Sequence, residues 1–540
     1  MTLLAVLSDL VARNADAPVA IDAHPEDPVV VSRRELWQRT LALRADLAHA
    51  GVGRGDGVAV WLPNWSDALC WQFATASLGA HVIGVNTRYN VEEVAHVLDR
   101  ARPAVVALAH DFHGLDLLGR LHAAVGRVAA PPPAVAVVTG PHGTAPEDVS
   151  AYDVGGGTWR PGPARDLPAP EATDGDELAV AFTTSGSTGK PKLAAHRESA
   201  VVAHARADAA ALGIGDGDVV VCALPLSGVF GFSTALAGVA GGAACLLEPV
   251  FDGTAVVADM ARWRATHLVG GDDLVSKLAA AWQASPRPLP AWRWLGMADF
   301  IGKTHELARW AEQEFGTHAT GVYGSSEVFA LTACWPGDEP APRRWRGGGR
   351  LVSGRIQARV ADPVTEESLP AGHQGELQLR GYNVVDAYLG DPDAGVRSFT
   401  TDGWFRTGDL VELDADGAVT YVCRMGDVLR LHGFLVDPAE IEQRLAEHHA
   451  VSVAKVVGVR GDDGFERAVA YVVPVSPGAV DAAELREWCG ATLATFKVPS
   501  AIELLDEMPT TSGTNGTKIR AATLREWAQR RHGARREMAP

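Results

Sequence analysis

Cysteine is scarce in this chain and never closely paired. The six cysteines (Cys70, Cys222, Cys245, Cys334, Cys423, Cys489) stand singly, and none forms the C-x-x-C spacing of a zinc or redox site. A disulfide framework is therefore not expected, and a reducing cytoplasm fits best. Positive charge is also in deficit: lysines and arginines total 48 against 66 acids, for a net charge of −18. That argues against a nucleic-acid footprint and against adhesion to an anionic membrane. An anionic ligand must then be gripped by a local site. The opening MTLLAVLSDLVARNADAP lacks a basic region and carries Asp9 within its apolar run, so a signal peptide is not expected. The patterns G-x-S-x-G, H-E-x-x-H and G-x-G-x-x-G are missing, which leaves a hydrolase, a zincin and a dinucleotide dehydrogenase without support. Residues 219–247 lack charge altogether and are long enough to span a bilayer. Pro225 and several glycines interrupt that stretch, which reads instead as a strand, a turn and a small-residue helix in a buried core.

What is present is a long globular chain. Its 540 residues are 47% apolar and 21% charged, enough for two or more domains and a large core. Up to about residue 125, helical and strand-like segments alternate, which indicates an α/β sheet. Residues 155–176 are rich in proline and glycine and read as a surface loop or linker. From about residue 355 the pattern turns β-rich, with DADG at 414–417 as a tight turn. Beyond Asp427 a helix, a hairpin and a second helix form a compact α+β module of about one hundred residues. The expected boundary divides the chain into 1–426 and 427–540.

Residues 182–196, FTTSGSTGKPKLAAH, concentrate unusual chemistry. Thr183, Thr184, Ser185, Ser187 and Thr188 supply hydroxyls. Gly186 and Gly189 let backbone N–H groups converge on an anion. Lys190 and Lys192 add positive charge. Pro191 stands where a helix-opening phosphate loop would carry Ser or Thr, so this is a loop between two strands. A polar turn is the plain alternative; the hydroxyls with two lysines favour a polyphosphate cradle. Three further segments stand out. VYGSSEV places Tyr323, suited to stack on a purine, four residues before Glu327, a candidate Mg²⁺ ligand. GWFRTGDL contains Asp409, suited to accept hydrogen bonds from ribose hydroxyls. MPTTSGTNGTKIR sets Lys518 beside a flexible turn, from which an amine can reach a pentavalent phosphate.

In this order these segments resemble the motifs of the adenylate-forming enzymes, which include acyl-CoA synthetases, aryl-CoA ligases, luciferases and peptide-synthetase adenylation domains. TSGSTGKPK looks like that family's signature loop, and the likeness covers nearly the whole chain. The resemblance implies an α/β architecture. A large N-terminal domain of parallel and mixed sheets flanked by helices carries a β-rich subdomain, and a small α+β C-terminal domain sits on a hinge. It implies nucleotide contacts from Thr184, Ser185, Gly186, Ser187, Thr188, Gly189, Lys190 and Lys192. Further contacts would come from Tyr323, Gly324, Ser325, Ser326, Asp409, Arg424 and Arg430. Ser326 replaces the usual Thr, Arg430 a cation near the AMP phosphate, and Gly426 a frequent lysine. Glu327 would hold Mg²⁺, Lys518 would be the catalytic lysine, and Asp427 the hinge. His432 and Gly433 would line a thiol tunnel.

The implied reaction has two halves. A carboxylate attacks the α-phosphorus of ATP and pyrophosphate leaves; a thiol, usually of CoA, then takes the acyl group. The acid pocket would include Ser227, Gly228 and Val229, where the family has a Phe-His pair followed by Asp in amino-acid-activating members. Val229 argues against an α-amino acid. Asp272, Asp273 and Asp299 fall near positions usually apolar: either they cap helices or face solvent, or Asp299 accepts an amino or hydroxyl group of an aromatic or cyclic acid. An acid–CoA ligase for a small acid is the favoured function. A relative that adenylates another oxyacid, such as nitrite, to diazotise an aryl amine is the alternative. A non-catalytic nucleotide-binding protein is disfavoured by Lys518, Glu327 and Asp409. A homodimer stays open.

Overall fold

A computed structural model of the chain describes all residues except 171–173, 185–191, 364, 426–428, 432–433, 437, 462–465, 494–496, 514–515 and 534–540. Among the described residues the strands form sheets of thirteen, eight, five and two. The eight-stranded sheet has a parallel centre: Gly57–Trp61 lies between His81–Gly84 and Val105–His110. Gly57–Trp61 and His81–Gly84 are buried throughout, as expected for strands covered on both faces. The thirteen-stranded sheet runs parallel from Pro18–Asp22 through Ala244–Leu247, Val219–Cys222, His267–Gly271 and Trp294–Ala298 to His318–Ser325. It then becomes antiparallel and includes the hairpin Phe405–Leu413 with Val419–Arg424. That antiparallel end is the β-rich part expected from the sequence, and it packs its own apolar cluster around Leu377, Leu379 and Val411. The remaining small module pairs Val451–Arg460 with Glu466–Pro474 beside helices Pro438–Ala446 and Ala482–Gly490. Its core is separate, centred on Ile441, Leu445 and Ala470.

The uncharged run resolves as the sequence reading expects. It supplies strand Val219–Cys222, helix Val229–Gly241 and strand Ala244–Leu247. Every residue of that helix up to Val239 is buried. Among the described residues no helix is long and apolar enough to cross a membrane.

Candidate active site

Strands Leu178–Thr183 and Leu193–Arg197 pair antiparallel and hold the two ends of the hydroxyl-rich loop. Their junction is closed by the Thr184 N–H donating to the Lys192 carbonyl at 2.8 Å. Ser185, Gly186, Ser187, Thr188, Gly189 and Lys190 lie outside the described residues. Thr183 and Thr184 are buried, and the Thr183 hydroxyl meets the Tyr89 hydroxyl. The Lys192 ammonium lies 4.9 Å from the Tyr388 ring centroid, a cation–π contact that holds its charge in place. Tyr89 and Tyr388 escaped the sequence reading because neither belongs to a compact motif.

The second group forms where strand ends from the large sheet meet. Asp409 and Arg424 stand opposite one another in the hairpin. Arg424 Nη1 donates to Asp409 Oδ1 at 2.8 Å, and the Tyr323 hydroxyl donates to Asp409 Oδ2 at 2.7 Å. A carboxylate has about four lone-pair positions, so both oxygens retain capacity for sugar hydroxyls. Burial, and then Asp409, push the Tyr323 phenol well above its ordinary range. Gly324 is required by its surroundings: a Cβ there would stand 2.4 Å from the Phe329 carbonyl oxygen. Glu327 follows, part-buried, its carboxyl raised by burial and partly restored by Arg424, Ser325 and Lys192.

The loop bearing Glu327 is held from behind by two histidines to which the sequence assigned no role. His196 Nε2 donates to the Ser326 carbonyl at 2.8 Å, and His204 Nε2 to the Ala330 carbonyl at 2.9 Å. Phe329 lies between their rings, 4.0 Å from one and 4.9 Å from the other.

Lys518 reaches this group from the far end of the chain. It sits on strand Gly516–Ile519, opposite Thr511 of Thr510–Gly513, and that hairpin packs against helix Asp272–Ala284. The ammonium lies 4.5 Å from the Phe300 ring centroid. Burial and the positive field of Arg424 pull its pKa down, while Asp409, Asp273 and Glu327 oppose that. The structure thus gathers Lys192, Tyr323, Glu327, Asp409, Arg424 and Lys518 around one centre. Arg430 lies on strand Leu429–Leu431; Asp427, His432 and Gly433 lie outside the described residues.

Ser227 and Gly228, expected to line the acid pocket, form the turn that opens helix Val229–Gly241. Ser227 lines a cavity, and its backbone lies against Gly84, where a Cβ would meet the Ser227 carbonyl oxygen at 2.3 Å. Val229 is 1% exposed and belongs to the core. The aspartates divide differently from the sharper expectation. Asp299 is exposed and accepts the Gly302 N–H at 2.9 Å, so it closes a surface loop rather than lining the cavity. Asp272 is fully buried and accepts N–H groups of Phe300, Ile301 and Lys303; burial and Asp299 raise its carboxyl, against those bonds. Asp273 is the one that lines the cavity. Asp272 and Asp273 are the first two residues of helix Asp272–Ala284, where neighbouring side chains point to different faces, whereas Asp299 follows strand Trp294–Ala298.

Among the described residues no cluster of three or more His, Cys, Asp or Glu side chains could hold a metal ion. A single carboxylate beside a phosphate site suits Mg²⁺, which keeps waters and substrate phosphates as its other ligands.

A two-domain α/β enzyme whose small domain delivers a lysine to a carboxylate–arginine–tyrosine centre beside a hydroxyl-rich loop has the make-up of an AMP-forming ligase. The chain belongs to the AMP-binding enzyme family: residues 7–389 match the AMP-binding enzyme family and residues 440–514 the AMP-binding enzyme C-terminal domain. It is similar to a 7a-methyl-1,5-dioxo-octahydro-inden-4-yl-propanoyl:CoA ligase of Rhodococcus jostii, 28% identical over 485 residues, covering 88% of this chain and 90% of that one. It is similar also to 4-coumarate–CoA ligase 2 of Oryza sativa subsp. japonica, 29% identical over 511 residues, covering 92% and 87%. Among solved structures, ATP-bound MatB from Rhodopseudomonas palustris superposes with a TM-score of 0.82 at 26% identity, over 98% of this chain and 99% of that one. The chain is an adenylate-forming enzyme of the acid–CoA ligase kind, with ATP and CoA as its substrates.

Proposed function

We propose that the chain activates a small aromatic or cyclic carboxylic acid in two steps. In the first, a carboxylate oxygen bonds to the α-phosphorus of ATP, the α–β phosphoanhydride breaks, and pyrophosphate leaves. In the second, the CoA sulfur bonds to the acyl carbon, AMP leaves with the former carboxylate oxygen, and the thiol proton passes to water or a base. The loop after Thr184 and Lys192 holds the triphosphate. Asp409, Arg424 and Tyr323 fix the nucleoside by the buried network described above. Glu327 would hold Mg²⁺, which would supply charge neutralisation at the phosphates. Lys518 neutralises charge that develops on the transferring phosphate. Closure of the small domain also keeps water from a reactive anhydride. A turn about the boundary near Asp427 then exchanges Lys518 for the thiol entrance.

The observation that carries this reading is the lysine of the last hairpin lying amid Glu327, Asp409 and Arg424. Ring-bearing acids are supported by the names of two relatives, and an acid other than an α-amino acid by the absence of a carboxylate at Val229. Six buried cysteines, none in a C-x-x-C pair, support a cytoplasmic setting. The test is ATP–pyrophosphate exchange over a panel of acids, followed by CoA-dependent AMP release, in the wild type and Lys518→Ala. Exchange requiring an aromatic or cyclic acid, and lost in the variant, is the expected result. Exchange that persists without Lys518 would sink the assignment.

A further inference from the structure

A cavity of about 410 Å³ opens where the carboxyl ends of strands from both large sheets face each other. That edge is where open parallel sheets take their ligands. Asn64 and Arg88 line it from the smaller sheet; Ser227, Glu248, Asp273 and Lys277 line it from the larger. It adjoins the catalytic centre, because Asp273 is one of the carboxylates whose charge acts on the Lys518 amine.

Most polar groups of this wall are already committed. Asn64 Nδ2 donates to the Cys222 and Leu224 carbonyls at 2.9 and 2.8 Å, and its Oδ1 accepts the Leu226 N–H at 2.9 Å. Arg88 and Lys277 are exposed at the mouth. Glu248 is different. It follows strand Ala244–Leu247, is 4% exposed, and its Oε1 has no hydrogen-bond partner. Burial first, then Asp259 and Asp252, push its carboxyl up to about 8. A buried acceptor without a donor costs stability, and such a group in a cleft is a mark of ligand recognition.

We propose that Glu248 reads the distal end of the acid substrate, which carries an amino or hydroxyl group that donates a hydrogen bond to the Glu248 carboxyl. The inference rests on the acid–CoA ligase reading and names its substrate class. It also moves the selecting carboxylate from Asp299, which faces solvent, to the cavity wall.

The test uses ring acids of matched size bearing amino, hydroxyl, methyl or carboxylate at the distal position, assayed by pyrophosphate exchange and by CoA-dependent AMP release. The wild type should favour amino or hydroxyl over methyl by about 100-fold or more in kcat/KM, since a site built around a hydrogen bond rejects an isostere that lacks it. Glu248→Leu should bring that ratio to near unity while keeping turnover of the methyl acid, which is also the control for folding. Glu248→Gln, the isosteric variant, keeps an acceptor oxygen and should retain the preference for the amino and hydroxyl acids to within about tenfold. Equal use of amino and methyl acids by the wild type would overturn the proposal. So would a preference for the distal carboxylate, or selectivity unmoved in Glu248→Leu. Exchange with no acid at all would instead remove the ligase reading, and the proposal with it.

Discussion

Replacing His196 with leucine probes how the Glu327 loop is held. His196 is fully buried, and its ring stacks on Phe329 with an interplanar angle of 29°. Together with His204 it fixes both ends of residues 326–330. Phe329 lies at φ 62° and Leu331 at φ 65°, a left-handed conformation that costs a non-glycine residue ~1–2 kcal/mol and persists only where surroundings impose it. Leucine fills much of the imidazole volume but donates nothing. The orphaned Ser326 carbonyl costs ~1–3 kcal/mol, and lost stacking ~0.5–1.5 kcal/mol. The expected destabilisation is ~2–4 kcal/mol, read as a lowered urea midpoint at pH 7. The functional readout is the Mg²⁺ concentration giving half-maximal pyrophosphate exchange. It should rise about 10-fold or more, as when a partner that orients a metal ligand is removed. His196→Gln, which can place an N–H near the lost Nε2, should recover most of the Mg²⁺ response but not the stacking. A leucine variant with the wild-type midpoint and Mg²⁺ curve would refute the reasoning.

Four other outcomes follow. Burial pushes His196 and His204 down to about 4 from an ordinary 6.5. Between those pH values the unfolded chain binds the extra protons, so their contribution to stability is complete above 6.5 and lost as pH falls toward 4. His196→Leu should therefore lose less of its urea midpoint on acidification than the wild type does. In the proposed mechanism Lys518 works as a cation, and burial and Arg424 pull its pKa below the usual lysine value of 10.5; kcat/KM for ATP should fall on an alkaline limb below that value, and Lys518→Arg should abolish the limb whatever rate remains. Asp409→Asn strands the Arg424 cation, whose side chain is 45% exposed and so partly screened. The expected effect is a KM for ATP raised about 10-fold to 100-fold with a smaller change in kcat, and a stability loss of only ~1–2 kcal/mol. Gly324→Ala forces a Cβ against the Phe329 carbonyl, which should cost ~1–3 kcal/mol in urea unfolding and lower exchange activity with it; an unchanged midpoint would contradict the close approach.

Much of the site was legible because its chemistry is local in sequence. The residues of GWFRTGDL must be neighbours to open one strand, Phe405–Leu413, so their spacing survives as a readable string. The aspartates show where this stops. Asp272, Asp273 and Asp299 look alike in a linear reading, yet one caps a buried loop, one lines the cavity and one faces water. His196 and His204 carry no local signal either, since their partners lie more than one hundred residues away.

The amino-acid order by itself determined the alternation of helices and strands, the uncharged core segment, the two strands that flank the hydroxyl-rich stretch and the separate C-terminal module, because hydrophobic period and turn chemistry act over a few residues. Only the tertiary structure decided that Lys518 meets Glu327 and Asp409, that Phe329 is clasped between two imidazoles, and that Glu248 stands at the wall between two sheets. Those relations come from close packing between distant segments, where burial and direction, not residue type, set what a side chain can do.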